Sequence, residues 1–499
     1  MNSKGIGAAA KRWLSLGICT ALVLPLTSAG GISAAAEGSK VSEGQRVLRI
    51  GSLWSGEDDN YFRQQFTDLY ELQHPEVTLE FVTAIDTEKL RFSSGNLQAG
   101  QDNLDSMRAI MGGDKPVDVV IGDSTLLKRL ADRNLVEPLQ PLIDRDHYDL
   151  SNMAPTVLEG IRELGRGNLY ALGPAFTSSA LFYNKKIFDA AGVAYPEKGM
   201  TWEKLFPVAA KVTKGPGDVK DRIYGLAMNR FAGAPFWDMQ SYLSPLQLAM
   251  YDNTGEKMTV NTPAWSKAWN DYSNLVKKQI IPGLHEIIYP NEVTPLAVDL
   301  FLTSRAAMVV ADYSYINELT VAERNASLIK NFQPVDWGIV SVPTFAEKPG
   351  VAMGTSLGSL MAINAIAQNQ EDAWDLIQFV NSNEVAKIKA HNRYELTARK
   401  DYNKSPEKGL DLAPFYSQKP LPANDPAMDS LQARLPGITQ INDAGQILFT
   451  EVYQGKRTVA SALQAWEKQG NLMLKTLQKH PNEYFDLYNS WPEKSAANQ

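Results

Sequence analysis

The stretch Gly354-Thr355-Ser356-Leu357-Gly358 fits G-x-S-x-G, the turn that presents a nucleophilic serine when a strand precedes it and a helix follows. Here Ser359-Leu360-Met361-Ala362-Ile363 follows, and that run reads as a strand, so Ser356 is not expected to be a nucleophile. As part of a loop with free backbone N–H groups, Ser356 is better suited to hydrogen-bond a ligand. The five histidines, His74, His147, His285, His391 and His480, lack the H-E-x-x-H spacing that sets two imidazoles on one helix face. No catalytic residue, metal or cofactor is therefore expected. What remains is a set of rings and one acid that follow strand ends or sit in loops: Trp54, Asp123, Phe176, Trp237, Tyr313 and Tyr315. Rings offer flat apolar faces and carboxylates fixed acceptors, which is the chemistry of holding rather than of making bonds. Asp123 has a second possible role, as the cap of a helix starting at Ser124. Trp54 and Tyr313 could each simply pack in a core. Trp202 is assigned to packing behind a helix cap at Thr201.

These residues need strands to deliver them. Val47 to Leu53 reads as a short buried strand. Phe62, Phe66, Leu69 and Tyr70 then recur at the spacing of one helix face, behind acids that suit a helix N-terminus. Val77, Leu79 and Phe81 alternate as a second strand. A βαβ opening predicts an α/β protein whose parallel sheet carries helices on both faces. The same pattern continues with a strand at Val117–Ile121 and a helix bearing Leu126, Leu127 and Leu130, and with strand-like runs at Leu181–Tyr183 and Ala306–Val310. Ala373, Leu376, Ile377 and Val380 mark one later helix face, and Val459, Leu463, Trp466, Gly470, Met473 and Leu477 another. Residues 401–437, rich in Pro, Asp and Lys, are expected to form a long surface excursion.

The N-terminus has basic Lys4, Lys11 and Arg12, an apolar run from Trp13 to Leu26 and then small residues ending Ala34-Ala35-Ala36. That order is the pattern of a secretory signal, which puts residues 1–36 in a signal peptide and the mature start at Glu37. The run is short for a bilayer span, which needs about 20 apolar residues. Cleavage would take the net charge from −7 to −10, because residues 1–36 carry three positive charges and no acid. A chain this acidic repels phosphate backbones and anionic lipid, so neither nucleic acid nor a membrane surface is an expected partner. The single cysteine, Cys19, lies inside the signal and leaves the mature chain without thiol chemistry. Leu16-Gly17-Ile18 puts a bulky Ile where a lipid-attachment site wants Gly or Ala, so no lipid anchor is expected.

Several segments, in order, resemble bacterial extracellular solute-binding proteins of the sugar-binding group that includes maltose-binding protein. They are FTDLYELQHPEVTLEFV, KPVDVVIGDSTLLKRLADRNLVEPLQPLID, GNLYALGPAFTSSALFYNKKIFDAAGVAYPEKGMTWEKLFPVAAKVT, FLTSRAAMVVADYSYI, WGIVSVPTF and AWDLIQFVNSNE. The third is the most specific, with a hinge crossing, a Tyr-Asn-Lys strand end and a Thr-Trp helix start. Residues 401–437 match nothing in the family.

The resemblance implies a two-lobed, periplasmic-binding-protein-like fold, each lobe a mostly parallel sheet flanked by helices, with the ligand cleft between them. Residues 46–177 with 345–395 would form the first lobe and 181–343 with 396–490 the second. Crossings are placed near Thr177–Leu181, Thr344–Val351 and residue 395. It further implies a monomeric, extracytoplasmic receptor of an ABC importer that binds a carbohydrate of oligosaccharide size and passes it to membrane permease subunits. Trp54, Asp123, Phe176, Trp237, Tyr313, Tyr315 and Ser356 are the candidate ligand contacts, because sugars stack their C–H faces on rings and need fixed hydrogen-bond partners. Two rival readings are a secreted glycoside hydrolase, which needs a carboxylate pair, and a ferric-iron receptor using Tyr313 and Tyr315. Arg230 or Arg305 could pair with a uronate.

Overall fold

The computed structural model describes residues 46–483 and Phe485, apart from 56–58, 93–101, 216–220, 232, 284–295, 297, 330, 392 and 406–408. The signal segment, Cys19 and His285 lie outside the described residues.

The opening forms as its periodicity predicts. β1 (Arg46–Ser55) and β2 (Val77–Asp86) are parallel neighbours, with a helical segment between them. β3 (Val119–Gly122) adds in parallel on the other side of β1. Beyond the two-residue β4 (Ala175–Phe176), the chain enters a second sheet as β5 (Ser179–Asn184), flanked by β6 (Met308–Asp312) and β7 (Trp337–Ser341). It returns to the first sheet as β8 (Leu360–Ile363), antiparallel to β3, and β9 (Leu396–Thr397) then pairs antiparallel with β4 in a separate two-stranded sheet. The strand orders are β2-β1-β3-β8 and β6-β5-β7.

The α/β class and the mainly parallel first sheet agree with the sequence. The second sheet does not, because β5 runs antiparallel to both β6 and β7. Leu181–Tyr183 and Ala306–Val310 are unbroken apolar runs, which report burial on both faces and say nothing of direction. The core shows that burial directly. Leu181, Met308 and Val310 pack into one hydrophobic cluster, while Ala180, Phe182, Val309 and Ala311 pack into the other. Successive residues thus point to opposite sides, as a strand requires.

Residues 401–437 are not the simple surface excursion expected. Leu412 and Phe415 are buried in the first core cluster, the one that takes Phe182 of β5, with Phe415 against that ring, and Leu431, on the Pro426–Arg434 helix, is buried in the other. Their spacing has no period, so the Pro- and Asp-rich composition hid them.

Asp118 shows how this fold normally treats a buried acid. Its side chain accepts from the backbone N–H groups of Arg49, Gln368 and Asn369 and from the Asn369 amide, at 2.9–3.3 Å. A carboxylate so satisfied ties β1 to the 364–369 turn and is structural.

Candidate functional site

A cavity of about 520 Å³ opens where β5 begins and β6 ends, the two meeting at one end of the second sheet because they are antiparallel. Ser179, Asp312 and Ser314 form that end, Met353 and Gly354 close one side, and Asn229–Phe231 with Asp238 and Ser241 form the floor. Immediately beside it, Thr177 and Ser356 exchange backbone hydrogen bonds of 3.1 and 3.0 Å, and Ser178 Oγ lies 3.0 Å from Thr355 Oγ1. The cavity therefore sits against the paired strands through which the chain passes from one sheet to the other. Its volume falls in the 300–1,000 Å³ range of small-molecule sites.

Asp238 lies on the Pro235–Leu243 helix and is only 3% exposed. One carboxylate oxygen accepts from the Asn229 amide. The other is buried without a protein partner, an uncommon state for a buried polar atom. Loss of water around it pushes its pKa up to about 7, against which the Asn229 hydrogen bond acts weakly. Arg230, by contrast, is committed. Its Nε donates to Asp299 at 3.0 Å and a terminal nitrogen to Glu318 at 2.8 Å. With two carboxylates already on one guanidinium, Arg230 offers little to a uronate.

Of the seven residues expected from sequence, only Tyr315 lines this cavity among the described residues. Its ring is 2% exposed, and its hydroxyl donates to the fully buried Asp299 at 2.8 Å. Tyr315 thus braces Arg230 and Asp299 rather than stacking on a ligand. Replacing it with Phe removes that donor and leaves Asp299 less satisfied, which should cost about 1–3 kcal/mol, read from urea unfolding.

Tyr313, between two lining residues, is itself 5% exposed, and its hydroxyl donates to the Lys404 carbonyl at 3.3 Å. The two tyrosine hydroxyls therefore serve different partners. Phe176 is buried at 2% in the core and cannot offer a face to ligand; sequence placed it after a strand-like run but could not show the packing over it. Asp123 caps the Ser124–Ala131 helix, accepting from Leu126 N–H at 2.8 Å, while its residue stays exposed. Trp54 is 42% exposed at the carboxyl end of β1, and Trp237 is 43% exposed four residues before Ser241 on the same helix face. The Trp237 indole N–H donates to Gln446 at 3.2 Å. Ser356 is exposed in the crossing pair.

Sequence reasoning missed Asn229, Phe231, Asp238 and Ser241. Asp238 stands next to the chosen Trp237, but nothing local distinguishes a buried acid from a surface one. Phe231, at 59%, is the most exposed ring on the cavity wall.

The family of bacterial extracellular solute-binding proteins matches residues 54–387, about two-thirds of the chain. The chain belongs to that family. Family membership agrees with the mixed α/β sheets, and it gives the protein an extracytoplasmic setting. A binding protein of Brucella abortus is 20% identical over 450 residues, covering 89% of this chain and 97% of its own length. Among solved structures, a sugar transporter from Rhizobium etli in an open conformation aligns with a TM-score of 0.56 at 20% identity, covering 85% of this chain and 99% of that one. The sugar-binding protein MalE from Xanthomonas citri aligns at 0.54 and 18% identity, covering 88% and 100%. These likenesses establish the two-lobed α/β fold. Among the described residues, no helix is long and apolar enough to cross a membrane, and no cluster of three or more His, Cys, Asp or Glu is placed to hold a metal.

Proposed function

We propose that this family member is the receptor of an ABC importer, holding a carbohydrate between two lobes and delivering it to the permease subunits. The observation that carries the reading is the cavity at the sheet junction. Its wall combines an exposed ring, Phe231, with the side chains of Ser179, Asn229, Ser241 and Ser314. Such a mixture suits a neutral polyhydroxylated ligand, whose C–H faces stack while its hydroxyls bond. The sugar-binding names of structural relatives point the same way.

On this reading, the first lobe carries the β2-β1-β3-β8 sheet and the second the β6-β5-β7 sheet. We place the second crossing at residues 353–358, later than sequence suggests, because Phe345, Ala352 and Met353 are buried in the second core cluster. The other crossings are β4 with the start of β5, and β9. Ligand touching both lobes favours the closed arrangement by its differential affinity for it.

The test is calorimetric titration with a panel of mono- and oligosaccharides, with mass analysis of the recovered sugar. Saturable binding of an intact sugar supports the proposal; cleaved sugar, or no binding by any, defeats it. Trp54→Ala refines the test. A half-exposed indole contributes little to the core, so the melting temperature should stay near that of the parent. As a stacking platform it should cost the ligand tenfold or more in Kd, since lost stacking and apolar burial together come to about 2 kcal/mol. Unchanged affinity in the folded variant removes Trp54 from the site.

A further inference from the structure

We infer that a charged latch built around Arg129 holds the two lobes closed in the absence of ligand. This rests on the division into lobes proposed above and not on the identity of the ligand. Arg129 belongs to the first lobe, on the Ser124–Ala131 helix that follows β3. Its partner Asp102 caps the Asn103–Met111 helix, which packs on β1 and β2 of the same lobe. Two further partners, Asp429 and Ser430, stand on the Pro426–Arg434 helix. That helix is fastened to the second lobe: Leu431 and Leu435 are buried in the second core cluster, Arg434 donates to the Thr254 carbonyl at 2.8 Å, and Asn253 donates to Asp425 at 3.3 Å. It lies outside residues 54–387, the span that matches the family, so the family match does not account for the latch.

The contact crosses the cleft side of the first lobe. In open α/β sheets ligand sits beyond the carboxyl ends of the parallel strands. Asp123 caps the helix that leaves the carboxyl end of β3 and so marks that edge. The Asn103–Met111 helix leads back to the start of β3, which puts its N-terminus, capped by Asp102, toward the same edge. Asp429 stands close to both caps: burial raises its pKa, Arg129 opposes the rise, and the charges of Asp102 and Asp123 add to it. Parting the lobes at this edge therefore pulls Asp429 and Ser430 away from Arg129.

The division of partners is what makes the network a latch. Arg129 is 2% exposed and its Nε has no partner, so the two terminal nitrogens make all of its side-chain hydrogen bonds. One holds both Asp102 oxygens, at 2.7 and 2.8 Å, and Ser430 Oγ at 2.9 Å; the other holds Asp429 at 2.6 Å. When the lobes part, Asp102 stays with the cation and water replaces what the second lobe lent. If Asp429 and Ser430 are missing, the closed arrangement instead buries N–H groups without acceptors, a state strongly disfavoured for a guanidinium. Opening relieves it, so the intact network favours closure and its loss favours the open form.

The experiment is pulsed electron paramagnetic resonance on the chain from Glu37 onward, which has no cysteine of its own. Spin labels go on Ala109→Cys in the first lobe and Gln464→Cys in the second, both exposed. The protein is refolded from guanidinium to shed any bound ligand, and none is added. The expected result is that the shorter, closed distance dominates in the parent. With Asp429→Ala and Ser430→Ala together, the ratio of closed to open should fall about tenfold or more, the size of one charge-assisted hydrogen bond. A parent that is mostly open, or a double variant as closed as the parent, overturns the inference. If circular dichroism shows that the double variant does not fold, Ser430→Ala alone decides, because it leaves both ion pairs in place: a smaller shift toward the open distance supports the latch, and no shift overturns it. No sugar enters this measurement, so failure of every sugar to bind defeats the carbohydrate reading and leaves the latch standing.

Discussion

Asp238→Asn should raise the stability of the ligand-free protein at pH 8 by about 4 kcal/mol. The carboxyl is 3% exposed, one oxygen lacks a partner, and burial pushes its pKa from 3.8 up to about 7. Between those two values the folded chain holds a proton that the unfolded chain has released. The contribution of Asp238 to stability is therefore full below about pH 4 and is lost as pH rises through 7. Asparagine keeps an acceptor for the Asn229 amide and never ionises. At the usual unfolding entropy of about 2.1 cal/mol/K per residue, the gain corresponds to roughly 4 °C in a chain of this size. Differential scanning calorimetry of both proteins at pH 8 and pH 4 decides it. The gap should open at pH 8 and close at pH 4, and an equal gap at both values would show that the oxygen is not desolvated as described.

Arg129→Met should cost about 3–5 kcal/mol. Arg129 is 2% exposed on the Ser124–Ala131 helix, beside the first sheet. One terminal nitrogen bonds both oxygens of Asp102 at 2.7 and 2.8 Å and Ser430 Oγ at 2.9 Å, while the other bonds Asp429 at 2.6 Å. Asp429 and Ser430 sit on the Pro426–Arg434 helix, whose Leu431 is buried in the second core cluster. One guanidinium thus ties elements of both cores. Burial raises the Asp429 pKa even though Arg129 opposes it; at Asp102 burial acts in the same sense but is outweighed by the hydrogen bonds from Arg129 and Ser430, which hold it low. Removing the arginine leaves two carboxylates facing each other with little water. Guanidinium unfolding measures the loss, and Asp429→Asn in the same background should recover part of it, giving a coupling energy above about 0.5 kcal/mol. Strict additivity of the two changes would mean that the groups do not act together.

The first sheet was legible because Val77, Leu79 and Phe81 alternate and the helix before them has a clean apolar face. The Asp123 cap was legible only as one of two roles, because a Gly-Asp pair between a strand and a helix suits a cap and a ligand contact alike. What stayed hidden is what depends on distant packing. Phe176 and Tyr315 follow apolar runs as site rings would, yet Tyr315 is covered by Phe182 and Phe301, and Phe176 lies in the core. Asp238 is made unusual by the helices around it. The 421–432 stretch shows no apolar period, although Leu431 within it is buried in the second core cluster.

The return of β8 to β3 sets a timetable for the nascent chain. Val119, Val120 and Ile121 pair with Ile363, Ala362 and Met361, so the outer edge of β3 has no partner strand until some 240 residues later have been made. At about 5–20 residues per second, that interval is roughly 12–50 s. Throughout it, a Val-Val-Ile edge with high strand propensity stands open to pairing with other chains. Protection against aggregation during synthesis therefore has to come from outside this part of the fold.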